Sequence, residues 1–96
     1  MQTLITPREV YLEALRYHAV NLILIHNHPG GNPAPSKCDK EITERICQAG
    51  EMLGINLLDH IIIGDHRYIS FREEGLMGAY PGMKGNFYAF KKKHME

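Results

Sequence analysis

The chain has 96 residues, 44% of them hydrophobic and 23% charged, which suits one small globular domain with a thin core and excludes a disordered chain. Eleven Lys and Arg balance eleven Asp and Glu, so no net positive field argues for a nucleic-acid partner. No apolar run is long enough to span a bilayer, and the N-terminus lacks the basic and apolar regions of a signal peptide, so no membrane association and a cytoplasmic location are expected.

The first element in chain order is a helix announced by Thr6, Pro7 and Glu9: a capping hydroxyl, a proline at the first helical position and a carboxylate three residues after the cap. It continues through Val10, Ala14, Leu15 and Tyr17 to about His18. Its modest apolar face predicts that it covers a sheet. The apolar, β-branched run Leu22 to Ile25 then predicts a strand buried on both faces. A helix feeding such a strand implies a mixed α/β architecture, with chemistry at the strand's C-terminal end, where loops converge.

The loop from Pro29 to Pro35 is dense in Pro and Gly, and each X-Pro pair restrains the residue before it, so the loop is shaped rather than slack. It delivers Ser36 as the cap of a long helix with Ile42, Ile46, Ala49 and Leu53 on one face and Gly54 at its end. Cys38 and Cys47 both fall in that helix. Nine residues at a rise of 1.5 Å separate them by about 13 Å, too far for a disulfide, so both are expected as free thiols. A hairpin follows, Leu57 to Ile63 and Arg67 to Phe71 joined across Gly64, Asp65 and His66. Residues 77–96 read as a weakly structured tail, with Phe87 to Phe90 as the part able to dock. Lys91 to Lys93 read as a solvated terminus.

His26 and His28 stand two apart at the end of the first strand, so an extended backbone turns both imidazoles to the same side. Asp39 lies in the first turn of the next helix, across the proline-rich loop. Two imidazoles and one carboxylate are a ligand set suited to a catalytic zinc that keeps its fourth position open for water. Each residue also has a plainer role. Ser36 and Asp39 are spaced as a local capping pair, and an acidic first turn suits the helix dipole. Spacing alone leaves both readings open, and leaves iron, manganese and nickel open beside zinc.

The residues His26-Asn27-His28-Pro29-Gly30-Gly31, followed by Pro35-Ser36 and Asp39, resemble the signature of the JAB/MPN metalloprotease-like domain, most closely its RadC branch, the DNA repair protein RadC family. The resemblance extends through Pro7-Arg8-Glu9-Val10 and Leu58-Asp59-His60-Ile61-Ile62-Ile63-Gly64. It implies an α/β fold, a mixed β-sheet with flanking helices in a JAB/MPN (cytidine-deaminase-like) core, over residues 1–76. It further implies that His26, His28 and Asp39 hold zinc, that Ser36 assists an oxyanion, and that the substrate is a peptide or protein. Asp59 and His60 are expected in structural roles.

The resemblance also implies a glutamate on an N-terminal strand, moving protons between the attacking water and the leaving amine. Only 25 residues precede His26, and they begin almost at the first helix, so the N-terminal strands and that glutamate are expected to be missing. Glu9 and Glu13 match helix positions instead. The reading is therefore a metallopeptidase- or isopeptidase-type hydrolase site that binds zinc and cleaves poorly or not at all. Its alternative is a non-catalytic binding or scaffolding module linked to DNA repair or mobile elements. The missing strands would leave a sheet edge open to a second copy of the chain.

Overall fold

The computed structural model describes residues 5–77 and the backbone of residues 87–92. Helix α1, Pro7–Arg16, starts as its sequence dictates: the Thr6 side chain accepts from the Glu9 backbone N–H at 3.2 Å, and Pro7 fills the first turn. Strand β1, Asn21–Asn27, carries the chain to the histidines. Helix α2, Lys37–Leu53, is opened by Ser36 and Asp39 in a reciprocal capping box and closed by Gly54 at φ 73°, the left-handed backbone that glycine adopts without strain. Strands β2, Asn56–Ile63, and β3, Tyr68–Ser70, form the expected antiparallel hairpin.

A further strand, β4, Phe87–Lys92, pairs in parallel with β1. The sheet order is β3-β2-β1-β4, with β1 parallel to both neighbours. Phe87 to Phe90, expected as the part of the tail able to dock, lies in β4. The segment read as part of a weak tail contains a strand, while residues 78–86 and 93–96, including Lys93, lie outside the described residues. The sheet is unclosed, in line with the open edge expected, and its free edges are β3 and β4, while β1 is paired on both sides. The reason is that β1 presents backbone N–H and C=O groups on both sides, and pairing satisfies them whichever part of the chain supplies the partner.

The core lies between the helices and one face of the sheet, where Leu22 and Leu24 of β1 meet Val10, Tyr11 and Ala14 of α1 and Ile42 and Ile46 of α2. Tyr11 donates its hydroxyl to the Ile46 carbonyl at 2.6 Å and locks the two helices together. Burial pushes the Tyr11 phenol up from its ordinary value, with Cys47 adding to the effect, so it remains a donor at neutral pH. The opposite sheet face is only half covered: Ile23 and Ile25 are partly exposed, where their sequence predicted burial on both sides. Cys38 and Cys47 are both free and partly exposed.

One irregularity decides what β2 contributes. Leu22 pairs with Leu57 but Ile23 pairs with Asp59, so Leu58 is an extra residue in a bulge. A two-residue side-chain period makes such a slip exchange the two faces beyond it. Asp59 thereby shares a face with Ile23, and His60 lines up with Leu24 on the helix side, where it is fully buried.

Candidate metal centre

His26 and His28 arise where β1 runs out past the core. Both imidazoles do face one point, with ring centroids 4.5 Å apart and planes at 85°. Asp39 reaches the same point from the first turn of α2. Its Oδ1 lies 3.2 Å from His26 Nδ1 and its Oδ2 lies 3.1 Å from His28 Nε2. One donor atom from each residue falls within 4.8 Å of the others, which makes the cluster able to coordinate a metal ion. His26 and Asp39 are buried, with 2% and 3% of their surface exposed, while His28 is partly open to solvent.

The loop that carries His28 is stitched to the β2–β3 turn. The His28 backbone N–H donates to Ile63 O at 3.0 Å, and Asp65 N–H donates to Gly31 O at 2.7 Å. Gly31 sits at φ 83°, and Gly64 packs so closely beneath it that a Cβ there would collide with the Gly31 carbonyl and with Pro33 Cδ at 2.7 Å. His28 Nδ1 lies 2.7 Å from the Asn32 carbonyl. A carbonyl only accepts, so Nδ1 carries a proton, and Nε2 is the ring nitrogen left to meet Asp39. Fixing one imidazole nitrogen on a backbone carbonyl is how metal-binding histidines are usually oriented.

Asp39 is both a cap and a member of the cluster, so the two roles weighed from its spacing do not compete. Its Oδ2 accepts from the Ser36 backbone N–H at 2.7 Å, and its own N–H donates to Ser36 Oγ at 3.0 Å. Burial would raise its pKa, but the His26 imidazole and the contacts with Ser36 outweigh that and hold the carboxyl well below the usual range. Asp39 is therefore an anion at neutral pH. Ser36 is exposed, and its oxygen is engaged as the helix cap.

Beside the cluster lies an open, mostly polar cleft of about 400 Å³ lined by residues that include His28, Gly31, Gly64 and Asp65. A larger concavity of about 650 Å³ lies on the other sheet face, against Ile61, Ile63 and Tyr68, and includes none of the three donors. Glu9 and Glu13 line a groove on α1 that likewise includes none of them. Cys38, adjacent to Asp39, does not join the group.

His60 is the residue whose place sequence reasoning undervalued. Its ring stacks on His26 at 5.7 Å and on Phe71 at 4.6 Å, with interplanar angles of 22° and 24°. Its Nδ1 lies 2.6 Å from Thr43 Oγ1, and that hydroxyl donates to the Asp39 carbonyl at 2.7 Å. Burial, reinforced by the neighbouring His26 and His28, pushes the His60 pKa down to about 4 despite the opposing pull of Asp39 and Asp59. Asp59 has a structural role, accepting from the Arg72 backbone N–H at 3.0 Å and from the Ser70 hydroxyl, which ties down the turn after β3. The available signal was the alternation along β2, which places His60 rather than Asp59 on the core face once the bulge is known.

Comparison with known proteins agrees with the geometry. The profile of the RadC-like JAB domain matches residues 1–76. The chain belongs to the RadC-like JAB domain family. A UPF0758 protein of Trichlorobacter lovleyi is 58% identical over 76 residues, covering 79% of this chain and 33% of the relative. A UPF0758 protein of Bacillus licheniformis is 51% identical over 75 residues, covering 78% and 34%, and one of Bacillus anthracis is 51% identical over 73 residues, covering 76% and 32%. The RadC-like chain thus spans about a third of the length of the curated relatives it matches. Its fold is a JAB/MPN core, and the His26, His28 and Asp39 cluster lies within the matched region.

Proposed function

We propose that His26, His28 and Asp39 bind one zinc ion and that this RadC-like domain carries the metal half of a peptidase- or isopeptidase-type hydrolase site. The observation that supports the reading best is the chemistry of the donor set. His28 Nδ1 is held by the Asn32 carbonyl, which leaves Nε2 as the ring nitrogen that meets Asp39 Oδ2 at 3.1 Å, with His26 Nδ1 3.2 Å from the other carboxylate oxygen. Each of these ring nitrogens can give up a proton and offer its lone pair to a metal ion beside the anionic carboxylate. Two imidazoles and a carboxylate suit zinc, and three protein donors leave one position for water.

When bound, zinc there supplies Lewis acidity toward a carbonyl and toward water in that open position. Asp39 supplies negative charge and is oriented by Ser36. Ser36 Oγ accepts from the Asp39 N–H, which leaves its hydroxyl proton for a developing oxyanion. The substrate reading is a peptide or protein strand lying in the cleft beside His28, Gly31 and Gly64.

A second reading is a non-catalytic binding or scaffolding module in which the metal is structural. The observation favouring it is that Glu9 and Glu13, which line a groove on α1, are not among the residues gathered at the cluster. No helix among the described residues is long and apolar enough to cross a membrane, and a cytoplasmic location remains the proposal. Pairing of copies through β3 or β4 is likewise proposed from the unclosed sheet.

Elemental analysis of protein purified without added zinc tests the metal reading. The expected result is about one zinc per chain, lost in Asp39→Ala. Wild-type protein that neither retains nor takes up zinc refutes it. Peptide hydrolysis that tracks zinc content and disappears in His28→Ala selects the hydrolase reading. Zinc binding without hydrolysis selects the module.

A further inference from the structure

We infer that His60 and Thr43 form a positioning device for the metal donors, with His60 setting the plane of His26 and, through Thr43, the place of Asp39. This deepens the zinc-site reading and rests on it. His60 stands on β2, yet it touches structures that carry two of the three donors. Its ring is wedged between Phe71 and His26, nearly parallel to both, at 4.6 and 5.7 Å. On its edge a hydrogen-bond chain leads to α2. Thr43 has one hydroxyl proton and gives it to the Asp39 carbonyl, so the 2.6 Å contact with His60 Nδ1 is completed by the imidazole N–H. The order of donation is His60 to Thr43 to Asp39, from the strand to the helical turn that bears the carboxylate.

Stability alone is a poor explanation for an imidazole here. His60 is fully buried, and its Nε2 has no hydrogen-bond partner among the described residues. A buried, unpaired polar atom is costly, and an apolar ring of similar size would avoid it. The hydrogen bond to Thr43 is what an apolar ring would lose. Thr43 Oγ1 is within reach because Thr43 lies one turn after Asp39 on the same face of α2, and both are buried. His60 does not join the donor group itself, so it acts through His26 and Asp39.

The test is cobalt(II) titration of the full chain, read by the ligand-field absorption of the bound ion, with zinc affinity measured by competition against a chromophoric chelator. Thr43→Val keeps the shape and removes the hydroxyl, and His60→Phe keeps a ring between Phe71 and His26. Each is expected to weaken zinc binding roughly 10-fold or more and to alter the cobalt spectrum, as loss of groups supporting metal ligands usually does. Thr43→Ser, which keeps the hydroxyl, should stay within about 3-fold of wild type. Because both losses act through one link, the double variant should be much less than additive.

Circular dichroism and urea melts check that each variant folds, and if one fails, the other carries the test. Folded Thr43→Val or His60→Phe with wild-type affinity and spectrum overturns the inference while leaving the zinc site intact, provided Asp39→Ala abolishes binding. Wild-type chain that binds neither cobalt nor zinc overturns the site and the inference together.

Discussion

Acidifying the metal-free chain from pH 7 to pH 4 should cost it about 3 kcal/mol through His60 alone. In an unfolded chain this imidazole takes up a proton near its ordinary value of 6.5, whereas in the fold burial holds the pKa down to about 4. Above pH 6.5 both states are neutral here and the contribution to stability is fully present. Between pH 6.5 and 4 the unfolded state binds a proton that the folded state refuses, so stability falls as pH falls. Below pH 4 both states bind it and the loss levels off. The gap of about 2.5 pH units, at about 1.4 kcal/mol each, gives the magnitude. That is a large fraction of the 5–15 kcal/mol or so that ordinary domains possess. Asp39, held low in the fold, begins to add its own loss only below the ordinary carboxylate range near pH 4, so the two windows separate.

The assay is urea denaturation in EDTA at half-unit pH steps, for wild type and His60→Phe. At pH 7 the variant should lie within about 1 kcal/mol of wild type, since it loses one hydrogen bond and also sheds an unpaired buried nitrogen. The difference between the two should then move in the variant's favour by about 3 kcal/mol on going to pH 4. Parallel stability curves through that window would refute the reasoning, because they would mean that His60 is hydrated or charged in the fold.

Zinc at about 100 times its dissociation constant should raise the unfolding free energy of wild type by about 2.7 kcal/mol in a denaturant melt, an effect reversed by EDTA and absent in Asp39→Asn. Asp39→Asn should also destabilise the metal-free chain at pH 7, because the amide oxygen still accepts from the Ser36 N–H but the charge favoured by the His26 imidazole and Ser36 is gone. Gly50→Ala should destabilise by about 1–3 kcal/mol although alanine is the better helix former, since the added methyl meets the Ile55 carbonyl and the Tyr11 hydroxyl. A stabilised Gly50→Ala melt would contradict that packing. Gly64→Ala should push the β2–β3 turn off the Gly31 and Pro33 backbone and weaken zinc binding about 10-fold, measured by chelator competition. Unchanged affinity would show that the stitching of the loop does not hold His28.

The order of the first helix, the strand, the long helix and the hairpin was legible in the sequence because each is written locally. Thr6-Pro7 opens α1, Ser36 and Gly54 bound α2, and Gly64-Asp65-His66 turns the hairpin. The convergence of His26 and His28 was legible too, since two-residue spacing on a strand end fixes direction without tertiary knowledge. Spacing left Asp39 divided between cap and metal donor, the family resemblance favoured the donor, and the structure shows its carboxylate meeting the Ser36 N–H and both imidazoles at once.

What only the tertiary structure decided depends on contacts between residues far apart in the chain. The predicted apolar stripe of α2 included Leu53, which is 48% exposed, and omitted Thr43 and Gly50, which are buried. Hydrophobicity cannot identify a threonine buried for its hydroxyl, or a glycine kept small by Tyr11 and Ile55. The pairing of Phe87–Lys92 with β1 and the bulge at Leu58 are likewise matters of strand partnership, which no local pattern encodes. That bulge places His60 under His26, so the members of the cluster are written in the sequence while the frame around them follows from how β2 is registered against β1.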